Sequence, residues 1–139
     1  MYGDKVRVVW KNHPLPMHKD AMPAHLAAMA ANEQGKFWEY HDKLFGNPGK
    51  FKDENLKGYA TELGLDMKRF EAAYSTGKYK AAIDADTNEA MTLGATGTPA
   101  FFVNGRYLSG AKPFEEFAKV INAELEKRGL PVPAEAKVP

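Results

Sequence analysis

Residues 5–11, KVRVVWK, alternate: Val6, Val8 and Trp10 fall on one side, Lys5, Arg7 and Lys11 on the other. A period of two predicts a half-buried strand, and a charged far face suits a strand at or near a sheet edge. Pro14 and Pro16 end it, because proline donates no ladder hydrogen bond. From Asp20 the period becomes helical, with Leu26, Met29, Ala30 and Glu33 at helical spacing, Pro23 tolerated in the first turn and Gly35 as a stop. FWEYHDKLF, 37 to 45, predicts a second helix presenting Phe37, Tyr40, Leu44 and Phe45, and residues 46–51 read as a loop. Asp53 is expected to cap a helix carrying Leu56, Tyr59, Ala60 and Leu63 that Gly64 closes. Asp66 is expected to cap the next, carrying Phe70, Ala73 and Tyr74, closed by Gly77. A fifth helix runs from about Tyr79 to Leu93, with Ile83, Ala90 and Leu93 inward, and stops at Gly94.

The last third changes character. AFFV, 100 to 103, predicts a short strand, Asn104-Gly105 is the favoured type I′ pair, and RYLSG, 106 to 110, returns as the second strand of a hairpin. Pro113 opens a final helix with Phe117, Val120, Ile121 and Leu125 along one face and Gly129 just past its end. The order of strand, helices, strand, turn, strand and helix predicts an α/β fold with a small sheet and a helical insert at about 20–93. The expected domain covers 1–130, leaving 131–139 as a proline-rich tail or linker.

Composition narrows the function classes. At 139 residues and 44% apolar content, one domain with one core is expected, burying roughly 68% of the unfolded surface. Nineteen basic and eighteen acidic residues nearly cancel and are dispersed, which argues against a nucleic-acid partner. No apolar run is long enough to suggest a membrane span. The chain contains no cysteine, which excludes disulfides, thiolate metal sites and cysteine nucleophiles within it.

Three segments carry a family resemblance: VRVVWKNHPLPMHKDAMPAHLAAMAANEQGKFWEYHDKLF at 6–45, LGLD at 63–66, and LGATGTPAFFVNGRYLSGAKPFEEFAKVI at 93–121. In this order they make the chain resemble the DsbA-like, helical-insertion branch of the thioredoxin superfamily, the thiol-disulfide oxidoreductases. The resemblance implies a thioredoxin-like α/β fold with a helical insertion. In that family an initial strand, and a helix opened by a C-x-x-C pair, precede the segment matching VRVVWK. The sheet of this chain is therefore expected to be incomplete, lacking that first strand and helix. An absent central strand leaves unpaired backbone groups, costly where buried. Two repairs are open, closure of the edges within one chain or a homodimer that is swapped or intertwined, and the dimer is the expectation.

The resemblance also assigns a role to Gly97, Thr98 and Pro99. An ordinary X-Pro bond is cis only about 5–6% of the time, so the residues alone predict a trans proline at a strand start. In the resembled family this proline is cis, and the residue before it offers its backbone to an extended peptide substrate, a form of strand addition. The implied function is that of a disulfide-forming or disulfide-exchanging domain whose redox cysteines are not in this chain. The 139 residues alone are then expected to be inactive. The alternatives are a non-catalytic peptide-binding or dimerisation module, and a relative of the kappa-type glutathione transferases and isomerases, whose nucleophile also belongs to the segment not present. For a full-length protein the family implies a periplasmic or otherwise extracytoplasmic location.

Other chemistry finds little support. His13, His18, His25 and His41 are present, and His18 and His25 could share a helical face, but two imidazoles without a third ligand make a weak zinc case, so no metal is expected. Glu115-Glu116 and Asp84 with Asp86 do not converge on one helical face, as general acid-base work requires. Phe37, Trp38, Tyr40, Phe45, Phe51 and Tyr59 read as packing between insert and sheet. Gly94 and Gly97 lead to a proline and a strand rather than opening a helix, so no nucleotide or other cofactor is expected. Ser75 and Ser109 lack a nucleophile-elbow setting.

Overall fold

Local signals set the helix boundaries. In the computed structural model, which describes residues 1–137, the Asp66 carboxylate accepts the backbone N–H of Arg69 at 3.0 Å and starts a helix there. Asp53 acts differently from the expected cap: Lys52 holds the N-cap position and Asp53 is the first helical residue, paired with Lys57 one turn on at 3.1 Å. The helices are α1 (Ala21–Asn32), α2 (Phe37–Gly46), α3 (Asp53–Glu62), α4 (Met67–Ser75), α5 (Lys80–Thr92) and α6 (Phe114–Lys127). The strands are β1 (Ala100–Val103) and β2 (Arg106–Ser109).

The chain divides into two compact units. One comprises Lys11–Thr92, the other Met1–Trp10 with the segment from Leu93 onward. In the Lys11–Thr92 unit, four alanines of α1 (Ala27, Ala28, Ala30 and Ala31) meet Tyr40 of α2, Leu56, Tyr59 and Ala60 of α3, and Phe70 and Ala73 of α4. Small side chains on α1 let its neighbours approach closely while the aromatic rings fill the volume between them. Tyr40 is fully buried, its ring 6.1 Å from that of Phe70, and its hydroxyl donates to the Leu56 carbonyl at 2.8 Å. That bond satisfies the one polar atom the ring carries into the core. The expected aromatic packing is thus split, because Trp38 and Phe45 are exposed while Tyr40 and Tyr59 lie in the helical core. Ile83 is the buried residue of α5, and Leu93, expected inward, is exposed.

In the other unit β1 and β2 form a two-stranded antiparallel sheet, pairing Ala100 with Ser109 and Val103 with Arg106. Asn104 and Gly105 both have positive φ, +48° and +85°, as a type I′ turn demands. Phe101 lies edge-to-face against Phe117 of α6 at 4.7 Å, and Tyr2 donates to Asn122 of the same helix at 2.8 Å. Ala134–Ala136 make a single 3-10 turn on which Ala136 is buried, its carbonyl accepting from Asn122 Nδ2 at 2.7 Å. The proline-rich tail therefore folds back onto α6 there, while its last two positions lie outside the described residues.

The strand expected at residues 5–11 does not form. Gly3–Lys5 is a 3-10 turn, and residues 6–11 carry no strand assignment. The reason is that a strand exists only through a neighbour's ladder, and among the described residues the sheet holds β1 and β2 alone. Val8 and Val9 accordingly both face solvent, 70% and 62% exposed. The architecture is α/β, rich in helix, with a sheet of two strands among the described residues.

Candidate functional site

The loop from Gly94 to Pro99 is held at its two ends and open between them. Ala95 is buried, and the Thr96 N–H donates to the Gly94 carbonyl at 3.2 Å. At the far end the Pro99 carbonyl accepts the N–H of Gly110 at 2.9 Å, extending the hairpin ladder by one bond. Gly97, Thr98 and Pro99 are exposed, and the Thr98–Pro99 peptide bond is cis. A methyl group added at Gly97 would meet nothing within 4 Å, so nothing in this chain requires a glycine there.

The hairpin carrying this loop is clamped at its turn. Glu124 of α6, almost buried, accepts from Arg106 Nε at 3.0 Å and from Asn104 Nδ2 at 3.3 Å. A charge withdrawn from water is tolerated where charge-assisted hydrogen bonds replace its hydration. Residues 94–103 contain no titratable side chain, and their polar side chains are the hydroxyls of Thr96 and Thr98. The loop can present backbone donors and acceptors, two threonine hydroxyls and an apolar surface.

A second polar constellation, which the sequence reading passes over, occupies the helical unit. Asn12, nearly buried, donates its backbone N–H to Asp86 Oδ2 at 3.0 Å and its side-chain amide to the same oxygen at 2.8 Å. Lys11 donates to Asp86 Oδ1 at 3.1 Å and to Glu89 at 2.8 Å. Because the amide nitrogen of Asn12 faces the carboxylate, its oxygen faces His25, whose Nδ1 lies 2.8 Å away and must carry the proton. Burial depresses the His25 pKa to about 4, and neighbouring His13 pushes it the same way, while Asp86 opposes them. His25 is therefore neutral at pH 7. Both ring nitrogens of His13 are buried without a hydrogen-bond partner.

Desolvation acts to raise the Asp86 pKa, but the two hydrogen bonds from Asn12 and the Lys11 contact outweigh it and hold the carboxyl below its ordinary value. Asn12 and Asp86 are 74 residues apart in the chain, so no local motif joins them. The one clue lay in composition: a lone asparagine follows the apolar run before two prolines. His18 and His25 both line a shallow cleft with Met17, Ala21, Ala24 and Phe51. Among the described residues no three histidine or carboxylate side chains gather closely enough to hold a metal.

Known proteins relate to this chain in three ways. The family model described as a DSBA-like thioredoxin domain matches residues 3–122. A thioredoxin-like oxidoreductase from Silicibacter pomeroyi superposes with a TM-score of 0.76 at 26% identity, over 85% of this chain and 68% of that one. Among curated relatives, the Na(+)/H(+) antiporter NhaA 1 of Salinispora arenicola is 37% identical over 119 residues, 85% of this chain. The Na(+)/H(+) antiporter NhaA of Herminiimonas arsenicoxydans is 38% identical over 125 residues, 90% of this chain. The chain spans only 18% and 19% of the lengths of these two relatives.

Proposed function

The chain belongs to the DSBA-like thioredoxin domain family, and on that premise we propose that it forms the peptide-positioning part of a thiol-disulfide oxidoreductase domain. The observation that carries this reading is the exposed Gly97-Thr98-Pro99 loop leading directly into β1, within a family match that spans residues 3–122. In this reading an extended peptide lies along Thr98, exchanging backbone hydrogen bonds as an added strand would. The reaction served is thiol-disulfide exchange. An attacking thiolate forms a new S–S bond to one sulfur of a disulfide and expels the other as a thiolate. This chain has no cysteine to supply that thiolate, so the reactive sulfurs come from residues outside the 139, and the chain alone binds without reacting.

The test has two arms. Insulin reduction and dithiol oxidation by the purified 139-residue chain are expected at background, and any rate above it overturns the assignment of the thiols. Titration with an extended, cysteine-containing peptide is expected to shift the amide resonances of Gly97, Thr98 and Ala100, and shifts confined to other residues would refute the loop's role.

A second reading, favoured by the absence of cysteine, is a non-catalytic peptide-binding module. The short share of the curated relatives that this chain covers supports a domain that works inside longer proteins. Ion transport stays with those relatives' names, since among the described residues no helix is long and apolar enough to cross a membrane. Joining the chain to a C-x-x-C strand and helix from a family member separates the readings: recovered exchange activity supports the oxidoreductase, and a folded but inert hybrid supports the module.

A further inference from the structure

The two-residue turn fixes which backbone groups of β1 are used. In an antiparallel ladder, hydrogen-bonded and non-hydrogen-bonded pairs alternate. A tight turn at Asn104-Gly105 makes Val103 and Arg106 a bonded pair, hence also Phe101 and Leu108. The bond from Gly110 to Pro99 keeps the same phase. The N–H and C=O groups of Ala100 and Phe102 therefore point away from β2, and among the described residues no third strand meets them.

Proteins ordinarily protect such an edge with lysine, an inward charge or a bulge. AFFV has none of these. Both faces of the strand are also partly bare, with Phe101 39% and Phe102 41% exposed. Together with exposed Tyr107 and Phe114, these aromatics leave roughly 350 Å² uncovered per copy, taking ~200 Å² for a whole aromatic side chain. A standard homodimer face of ~800 Å² carries roughly 500 Å² of apolar surface, and Val8 and Val9, exposed in the same unit, add to the aromatic share. A net charge of +1 offers little repulsion between copies.

We propose that a second copy of this chain occupies the β1 edge, antiparallel about a two-fold axis at Phe101. The outward groups of Ala100 in each copy then meet those of Phe102 in the other, giving four hydrogen bonds and a four-stranded sheet in the order β2-β1-β1-β2. The register is self-complementary, as an isologous interface requires. Both α6 helices lie on the face that Phe101 shares with Phe117. Pairing ends at Ala100, so the exposed Thr98-Pro99 loop lies beyond the paired stretch, and the proposal does not depend on the oxidoreductase reading.

Sedimentation equilibrium of the 139-residue chain is expected to give twice the chain mass at 100 µM. Phe102→Pro removes an outward N–H and no bond to β2, so it should weaken association at least tenfold while keeping the helical circular dichroism. Because the parent has no cysteine, Phe101→Cys is a clean reporter. The two residues on the axis form a non-bonded pair with Cα atoms about 4.5 Å apart, inside the disulfide range. Oxidised glutathione should convert the two thiols to one interchain disulfide, itself being reduced to two glutathione thiols, while a Ser75→Cys control stays monomeric on a denaturing gel. If Phe101→Cys loses its fold, the Ala100→Cys, Phe102→Cys double variant reads the same register. A monomer at 100 µM overturns the proposal, as does a monomer whose β1 resonances shift only with an added extended peptide, which would give the edge to a foreign strand. A dimer that survives Phe102→Pro and forms no disulfide through β1 overturns it too.

Discussion

Lowering the pH from 7 to 5 is expected to weaken the fold through His25 by about 2 kcal/mol, an effect that His25→Gln should abolish. The folded imidazole has its pKa depressed to about 4 from 6.5, chiefly by burial. In the unfolded chain it takes up a proton as pH falls through about 6.5, whereas the folded protein resists until about 4. The unfolded state thus binds more protons throughout that window. Stability is fully present above 6.5 and is lost progressively on acidification, by up to about 1.4 kcal/mol per pH unit. The full loss approaches about 3 kcal/mol near pH 4, of which about 2 kcal/mol has gone by pH 5. Asp86 does not confuse the window, because its pKa is held below 3.8 and its own contribution is lost only at lower pH.

Glutamine removes the titration while retaining an amide that can donate to Asn12 Oδ1, the acceptor that faces His25 Nδ1. Urea unfolding of parent and variant at pH 7, 6 and 5, followed by far-ultraviolet circular dichroism, gives the stability difference at each pH. Taking the difference cancels every titration the two proteins share. The variant's stability relative to the parent should rise by about 2 kcal/mol between pH 7 and 5. A flat difference would falsify the claim that His25 is held neutral by its surroundings.

Three further outcomes follow from packing and backbone geometry. Leu56→Ala, at a fully buried position in the core of the helical unit, should cost about 3 kcal/mol by urea denaturation; a loss below about 1 kcal/mol would mean that the site collapses freely. Asp66→Ala, which removes the carboxylate that accepts the Arg69 N–H, should cost about 1 kcal/mol, and no change in the denaturation midpoint would show that the cap contributes nothing. Gly105→Ala places a side chain at φ +85° and should lose about 1 kcal/mol. Gly97→Ala meets open space and should stay within ~0.5 kcal/mol of the parent; thermal melts of the pair that reverse this order would refute the loop geometry.

Sequence determined the features whose causes lie within a few residues. Helix hydrogen bonds run from i to i−4, so a cap such as Asp66, a stop such as Gly64 and an apolar stripe such as that of α4 suffice to place a helix. The Asn104-Gly105 turn is equally local, and with it the register of β1 and β2. The loop at Gly97, Thr98 and Pro99 was singled out through family resemblance, and the role proposed for it is written in no titratable side chain.

Tertiary structure decided everything that needs a distant partner. KVRVVWK has the alternation of a strand, yet a ladder requires a neighbour, and the described residues provide none. Asp53 has the chemistry of a cap but sits one position inside its helix, where Lys57 takes its charge. The network of Asn12, His25 and Asp86 joins chain positions 74 residues apart, and only its enclosure by the helices turns an ordinary histidine into one that resists protonation. Periodicity tells a residue which way to face. What it meets there, and whether water is excluded, is settled by the fold.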